Sequence, residues 1–450
     1  MVRTQTTAIA IVRVLTDNTM VEPYFFFERH LFFLTRKEVQ LLSLTPCSTN
    51  LIFQPLKSYV EPLFFKEISA KFALPMAKSP PKPQLFLCFV LFFWSFEVFA
   101  QAVPNTDTTK VFKIRSKLLV VPLVGRSPET DWNGGLAGAY IFKTQKADTN
   151  LRTSTIPFGL IYTARKQLLV GIGGNIFFPK ERYILRFENT FSYFPDRFWG
   201  LGNQSKEAKM ESYTYLQYYL NPQILRSIGK NFFVGAVVEH QRIIKMEYQS
   251  NGLFDQEQVN GRYKGLTLGV GGVFTFDSRN HAYVSDKGSL VQLAFTRFHK
   301  AIGSDFTYSQ FRFDIRKYLK IGRQQVLALQ SLGILTSGDV QFRSMGIIGG
   351  SNIMRGYYNG RFRDKVSMAL QAEFRTPVYK RLGMVAFGGI GRVSHEVSSF
   401  ELNNFKKSFG AGLRFAVLKQ EKFNLRVDYG WGEIEGKYRG NLYVVAMEAF

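Results

Sequence analysis

Beyond residue 100 the chain contains no run of 18 apolar residues, yet apolar and polar side chains alternate strictly in one segment after another. In RYILRFENTFSY, residues 182–193, Tyr183, Leu185, Phe187, Phe191 and Tyr193 share one parity, and Arg186, Glu188, Thr190 and Ser192 share the other. QFRFDIR sets Phe311, Phe313 and Ile315 against Gln310, Arg312, Asp314 and Arg316, and FNLRVDYG repeats the pattern. A period of two is the strand period, which puts the two kinds of side chain on opposite faces. Membrane-spanning helices are excluded for this part of the chain, because each needs about 20 apolar residues.

Alternation alone also fits a soluble sandwich, so segment length and loop rhythm decide. About sixteen segments of roughly ten residues or more can be traced, the length a tilted strand needs to cross a bilayer. The connections PKE, SIGK, IGRQ, YKRLG and KQEK are short, whereas the intervening ones are mostly longer. SRNHAYVSDKG is longer than this rhythm predicts on the short side. Short turns on one side of a membrane and long loops on the other describe an outer-membrane barrel, in which every strand pairs and no edge meets lipid. The fold read from residues 118–450 is therefore all-β: a sixteen-stranded antiparallel transmembrane β-barrel.

The first hundred residues differ in kind. All 38 glycines lie after residue 100, and both cysteines, Cys47 and Cys88, lie before it. MAKSPPKPQLFLCFVLFFWSFEVFAQA starts at Met76 with two lysines, enters an apolar run and reaches small residues near Ala100 and Ala102. That is the layout of a secretory signal peptide, assigned to 76–100, with a membrane anchor as the alternative reading. Residues 1–75 show no sustained period and read as translated upstream sequence. Residues 101–117 form a short periplasmic segment.

Cleavage after Ala100 leaves no cysteine and hence no disulfide framework. The remaining chain carries 48 Lys plus Arg (58 minus 10) and 27 Asp plus Glu (34 minus 7), a net charge of +21. Such charge suits nucleic acid or an anionic surface, and export favours the membrane over nucleic acid. Outer-membrane lipid and lipopolysaccharide are the expected neighbours of a protein in the bacterial outer membrane.

GGSNIMRGYYNGRFRD, residues 349–364, falls between the eleventh and twelfth strands as the sixth long loop. Its glycines permit close approach and positive φ, and Arg355 could fork onto a carboxylate in a partly desolvated lumen. Glu373 on the next strand is the nearest candidate partner by sequence. Arg186, Arg312 and Arg316 are the candidate lumen charges.

MRGYYNGRFRD followed by VSMALQAEFRTPV resembles the BamA/TamA outer-membrane superfamily, also called bacterial surface antigen proteins. VPLVGRSPETDWNGG, DRFWGLGN, FTFDSRNHAYVSDKG, FGAGLRF and LRVDYGWG add matches over most of residues 118–450. The resemblance implies a sixth extracellular loop folded into the lumen, with an Arg-Gly-aromatic motif matched by Arg355, Gly356 and Tyr357. It also implies an aspartate on the thirteenth strand facing that arginine. VAFGGIGRV instead offers Gly388 and Gly389 there, so a lock must use another acid, for which Glu373 stands as candidate. The family's periplasmic polypeptide-transport domains have no counterpart between Ala100 and the first strand. The aromatic Phe450 in NLYVVAMEAF resembles the family's assembly signal on a last strand, although Glu448 breaks the alternation.

No nucleophile with a base can be assembled, and His240, His281, His299 and His395 lack metal-ligand spacing. Glycines in GVGG and GGIG lie in strand-like segments without the helix that a phosphate loop requires. The sequence therefore points away from an enzyme, a cofactor or a metal site. The resemblance implies assistance with protein or lipid assembly, insertion or translocation, with clients and periplasmic accessory proteins as partners. The alternatives are a passive anion-preferring channel and a structural or surface barrel.

Overall fold

The computed structural model describes residues 26–27, 30–34, 39–42, 116–145, 148, 151–281, 284–401, 403–418 and 423–450. The chain divides into two units, Met1–Thr109 and Lys110–Phe450. In the first, the short strands Phe26–Phe27, His30–Leu34 and Val39–Leu42 pair antiparallel. The signal-peptide reading at 76–100 lies outside the described residues.

The second unit is a closed barrel of sixteen strands. Its first quarter is β1 (Lys117–Ser127), β2 (Asp131–Phe142), β3 (Ser154–Thr163) and β4 (Leu168–Phe177). There follow β5 (Tyr183–Phe198), β6 (Glu211–Gly229), β7 (Phe232–Glu247) and β8 (Gly265–Asp277). The third quarter is β9 (Gly288–Phe298), β10 (Tyr308–Ile321), β11 (Gln325–Gly338) and β12 (Val366–Tyr379). The last is β13 (Leu382–Ser394), β14 (Lys406–Leu418), β15 (Phe423–Ile434) and β16 (Lys437–Ala446). Each strand pairs antiparallel with its sequence neighbour, and β16 returns to β1.

The alternation sorts side chains as the period of two requires. On β12, Leu370 and Phe374 are exposed, while Ala369, Gln371 and Glu373 are buried. On β15, Tyr429 is exposed, while Arg426 and Asp428 are wholly buried. Exposed apolar and buried charged residues on one strand make sense where the outer face meets lipid and the other face turns inward.

The strands differ in reach. β6 runs 19 residues, and β5 and β7 run 16 each, well past what a bilayer needs. Beyond the membrane their ends form an aromatic cluster in which Phe198 and Tyr213 pack with Phe254 and Phe342. A single helical turn, Leu253–Gln256, supplies Phe254. Connections on the short side include 230–231 and 380–381, and on the long side 248–264 and 339–365. The rhythm is looser than the sequence suggests: 128–130, 164–167 and 435–436 are tight turns on the long side, and 143–153 is long on the short side.

The chain leaves β16 before its last aromatic residue. Met447 takes φ 67° and donates its N–H to the Asn424 carbonyl at 2.7 Å. Glu448 accepts from Arg414 at 2.7 Å and Asn424 at 2.8 Å, so the break in alternation is an inward turn. Phe450 then packs with Tyr318, Val326 and Ala328 rather than extending the lipid-facing parity of β16.

Candidate functional site

The buried charges of β12, β14 and β15 converge on one arginine of the loop at 339–365. Arg355 is 2% exposed; it donates to Asp428 at 2.6 Å through one terminal nitrogen and to Glu373 through the other. Both carboxylates are fully buried. Glu373 also accepts from Arg375 at 2.7 Å and Arg414 at 3.4 Å. Asp428 accepts from Arg414 at 2.5 Å and Arg426 at 3.1 Å. Arg426 reaches back to the loop, donating to the Ser351 carbonyl at 2.8 Å and to Asn352 Oδ1 at 2.7 Å. The guanidiniums of Arg355, Arg375, Arg414 and Arg426 thus share the carboxylates of Glu373, Asp428 and Glu448. Buried ions of both signs require such pairing, since an isolated one would not stay charged.

Backbone geometry brings the arginine there. Met354 adopts φ 53°, and its N–H donates to Gln371 Oε1 at 3.2 Å. Gly356 follows at φ 117°, where a β-carbon would sit 2.6 Å from the Trp431 carbonyl oxygen. Its N–H donates to the Tyr443 hydroxyl at 2.9 Å, and its carbonyl accepts from Asn441 at 2.7 Å. Tyr357 donates its hydroxyl to the Lys407 carbonyl at 2.6 Å and accepts the Glu433 N–H at 2.9 Å. On β15, side chains at Gly430 and Gly432 would press on the Arg355 backbone and the Tyr357 ring, each at 2.8 Å. These glycines clear a shelf for the motif.

The outer part of the loop is tied to other loops and strand ends. Tyr358 donates to Asp196 at 2.9 Å, the Asn359 N–H to Glu129 at 2.6 Å, and Arg361 to Glu207 at 3.1 Å and Ser205 at 2.7 Å. Burial drives the phenols of Tyr357 and Tyr358 far above their usual range, so both keep the proton they donate. Burial also raises the carboxyls of Glu129 and Asp364.

Arg355, Gly356, Tyr357 and Glu373 come together; Arg186, Arg312 and Arg316 lie elsewhere. Arg312 is bound to Glu239 at 2.7 Å and Arg316 to Asp314 at 2.5 Å. Arg186 bonds to the amides of Asn175 and Gln223, at 3.0 and 3.4 Å. Asp428 was missed by reading along the chain from the loop, although its place two residues after Arg426 on the polar parity of FNLRVDYG carried the signal. On the thirteenth strand Arg355 meets a ring instead of an acid: its guanidinium carbon lies 3.6 Å from the Phe387 centroid. Gly389 leaves room there for Met354, whose sulfur would lie 2.9 Å from an added β-carbon.

An apolar outer face, a charged inner face and a closed antiparallel sheet define an outer-membrane β-barrel protein. The chain belongs to the Omp85 superfamily, whose domain matches residues 153–440. Among solved structures it is similar to BamA from Haemophilus ducreyi lacking POTRA domains 1–3 (12% identity, 76% of this chain and 74% of that one, TM-score 0.48). CdiB from Acinetobacter baumannii matches at 12% identity over 77% of this chain and 64% of that one, TM-score 0.48. CdiB from Escherichia coli matches at 9% identity over 77% and 63%, TM-score 0.49. The chain therefore spans less than two thirds of either CdiB chain. No curated protein matches in sequence.

Proposed function

We propose that the protein assists the assembly, insertion or translocation of protein or lipid clients at the outer membrane, opening between β1 and β16. The observation that carries this is the closing seam. β1 and β2 are in register from Lys117↔Ile141 to Ser127↔Asp131, but β16 and β1 share a single register pair, Val444↔Arg126. A seam with so little ladder is the least costly place to part the wall, and its two edges carry backbone groups able to template another strand. The loop at 339–365 folds into the lumen in this reading, where the Arg355 ion network holds it as a plug. Periplasmic accessory proteins and client precursors are the partners, and the chemistry is non-enzymatic. The ion pairs of Arg312 and Arg316 favour this reading over a passive anion channel, because they cancel charge that an anion filter would leave free.

The experiment is a disulfide across the seam. After residue 100 the chain has no cysteine, so Arg126→Cys with Val444→Cys introduces one defined pair. Oxidation is expected to abolish complementation of a deletion strain, read as loss of outer-membrane barrel proteins or surface lipid, and reduction to restore it. Full complementation by the cross-linked protein would refute opening at this seam.

A further inference from the structure

The strong positive charge of the chain has a place in the fold that the proposed opening does not use. The short turns carry part of it. Lys180 and Arg182 stand at the β4–β5 turn, Lys230 at the β6–β7 turn, and Lys287 before β9, all exposed. Lys320 and Arg323 flank the β10–β11 turn, and Lys380 and Arg381 make the β12–β13 turn, again all exposed. Among the described residues no salt bridge involves any of these eight. Among the described acids of the same rim, Glu181 is engaged by Arg152 at 2.8 Å, Asp277 by Arg279 at 2.9 Å and Glu448 by Arg414 at 2.7 Å, while Asp286 accepts from the Asn280 amide at 2.6 Å. The opposite rim mixes its signs. There exposed Lys166, Lys206, Lys209, Lys264, Lys300 and Lys437 are accompanied by exposed Glu247, Asp305, Asp339, Glu396, Glu401 and Glu435.

Above the basic turns lies an exposed apolar belt. Phe178, Tyr183, Ile228, Phe232, Ile321 and Tyr379 are each at least 39% exposed. The Arg182 guanidinium lies 5.9 Å from the Tyr183 ring centroid, and the Lys380 ammonium 5.0 Å from that of Tyr379. Aromatic rings at the edge of the hydrocarbon with cations just beyond them match the depth at which phosphates sit.

We propose that the short-turn rim is a binding surface for anionic glycerophospholipid headgroups in the leaflet it faces. The charges recur at successive turns from β4 to β13, more than half of the circumference, instead of forming one patch. A docked acidic protein would meet one arc of that ring. The leaflet surrounding the barrel meets every arc, and its headgroups supply phosphate at the height of the cations. Each cation near an anionic surface is attracted to it within about a Debye length, so the effect is local and salt-sensitive.

The test uses the full protein reconstituted in phosphatidylcholine bilayers with spin-labelled phosphatidylglycerol or spin-labelled phosphatidylcholine as probe. The motionally restricted fraction is expected to favour phosphatidylglycerol about threefold, and the preference to vanish in high salt. The combined variant Lys230→Gln, Lys320→Gln, Arg323→Gln, Lys380→Gln and Arg381→Gln should bring the two lipids to parity. Lys264→Gln with Lys300→Gln on the opposite rim should leave the preference intact. Heat-modifiable mobility on gels establishes that each variant is folded. Equal association of both probes with the wild-type protein, or a preference that survives the five substitutions, would overturn the proposal. So would unchanged lipid preference in a variant that has lost an acidic protein partner, which would assign the rim to that partner.

Discussion

Arg355 is held by two carboxylates, and that redundancy shapes what substitutions do. Arg355→Ala leaves Glu373 with Arg375 and Arg414, and Asp428 with Arg414 and Arg426, so the carboxylates stay paired while the loop loses both of its ion pairs to the wall. The barrel need not melt, because the loop can leave and rehydrate. The expected phenotype is a mobile loop: higher conductance in planar bilayers and new protease cleavage between Gly349 and Asp364, with strand content retained. Glu373→Gln and Asp428→Asn should each loosen the loop less, since either leaves Arg355 one anionic partner. A double-mutant cycle separates the two, because residues acting as one unit are non-additive. Protease resistance equal to wild type in Arg355→Ala would show that the network does not hold the loop.

At the scale of the strand, β15 matters for what it lacks. Gly432 gives its space to the Tyr357 ring, so Gly432→Val is expected to expel Tyr357 and reproduce the cleavage expected for Arg355→Ala while β15 stays in register. Gly388→Val is the control. Its β-carbon would lie 3.6 Å from the Ser408 carbonyl, an ordinary contact, and it should leave cleavage unchanged. Cleavage in both variants, or in neither, would refute the role of the shelf. These elements also mark how far the sequence could be read. Alternation in QFRFDIR and FNLRVDYG is a local property of the pleat, so strand identity and facing were legible. Glu373 was found because it follows the loop closely in sequence. Asp428 was not, since its approach to Arg355 depends on curvature that brings β12 and β15 together, and curvature leaves no trace in a period of two. The inward turn at Met447 was visible only as a flaw in the pattern at Glu448.

For the barrel as a whole, ion flow is the expected readout of the paired charges on the inner face. With Arg312 and Arg316 neutralised, the loop-released Arg355→Ala barrel should show only mild anion preference, weakening as salt rises. Adding Arg186→Gln, which removes a guanidinium bonded to amides, should reduce that preference. Adding Arg312→Gln should shift selectivity toward cations, because Glu239 is left without its 2.7 Å partner. Reversal potentials under a salt gradient measure both; strong anion selectivity that survives Arg186→Gln would place the filter elsewhere.

The single pair at the seam also orders the folding of the sheet. Every other neighbour in the barrel is joined by a hairpin or a loop, so its contacts are close in sequence and can zip from one strand to the next. Val444 and Arg126 are separated by nearly the whole barrel sequence, and meeting them closes the longest loop in the molecule for the smallest ladder. Closure is then the slowest contact to gain and the first to lose. A nearly complete, still open sheet is then the expected last intermediate before closure.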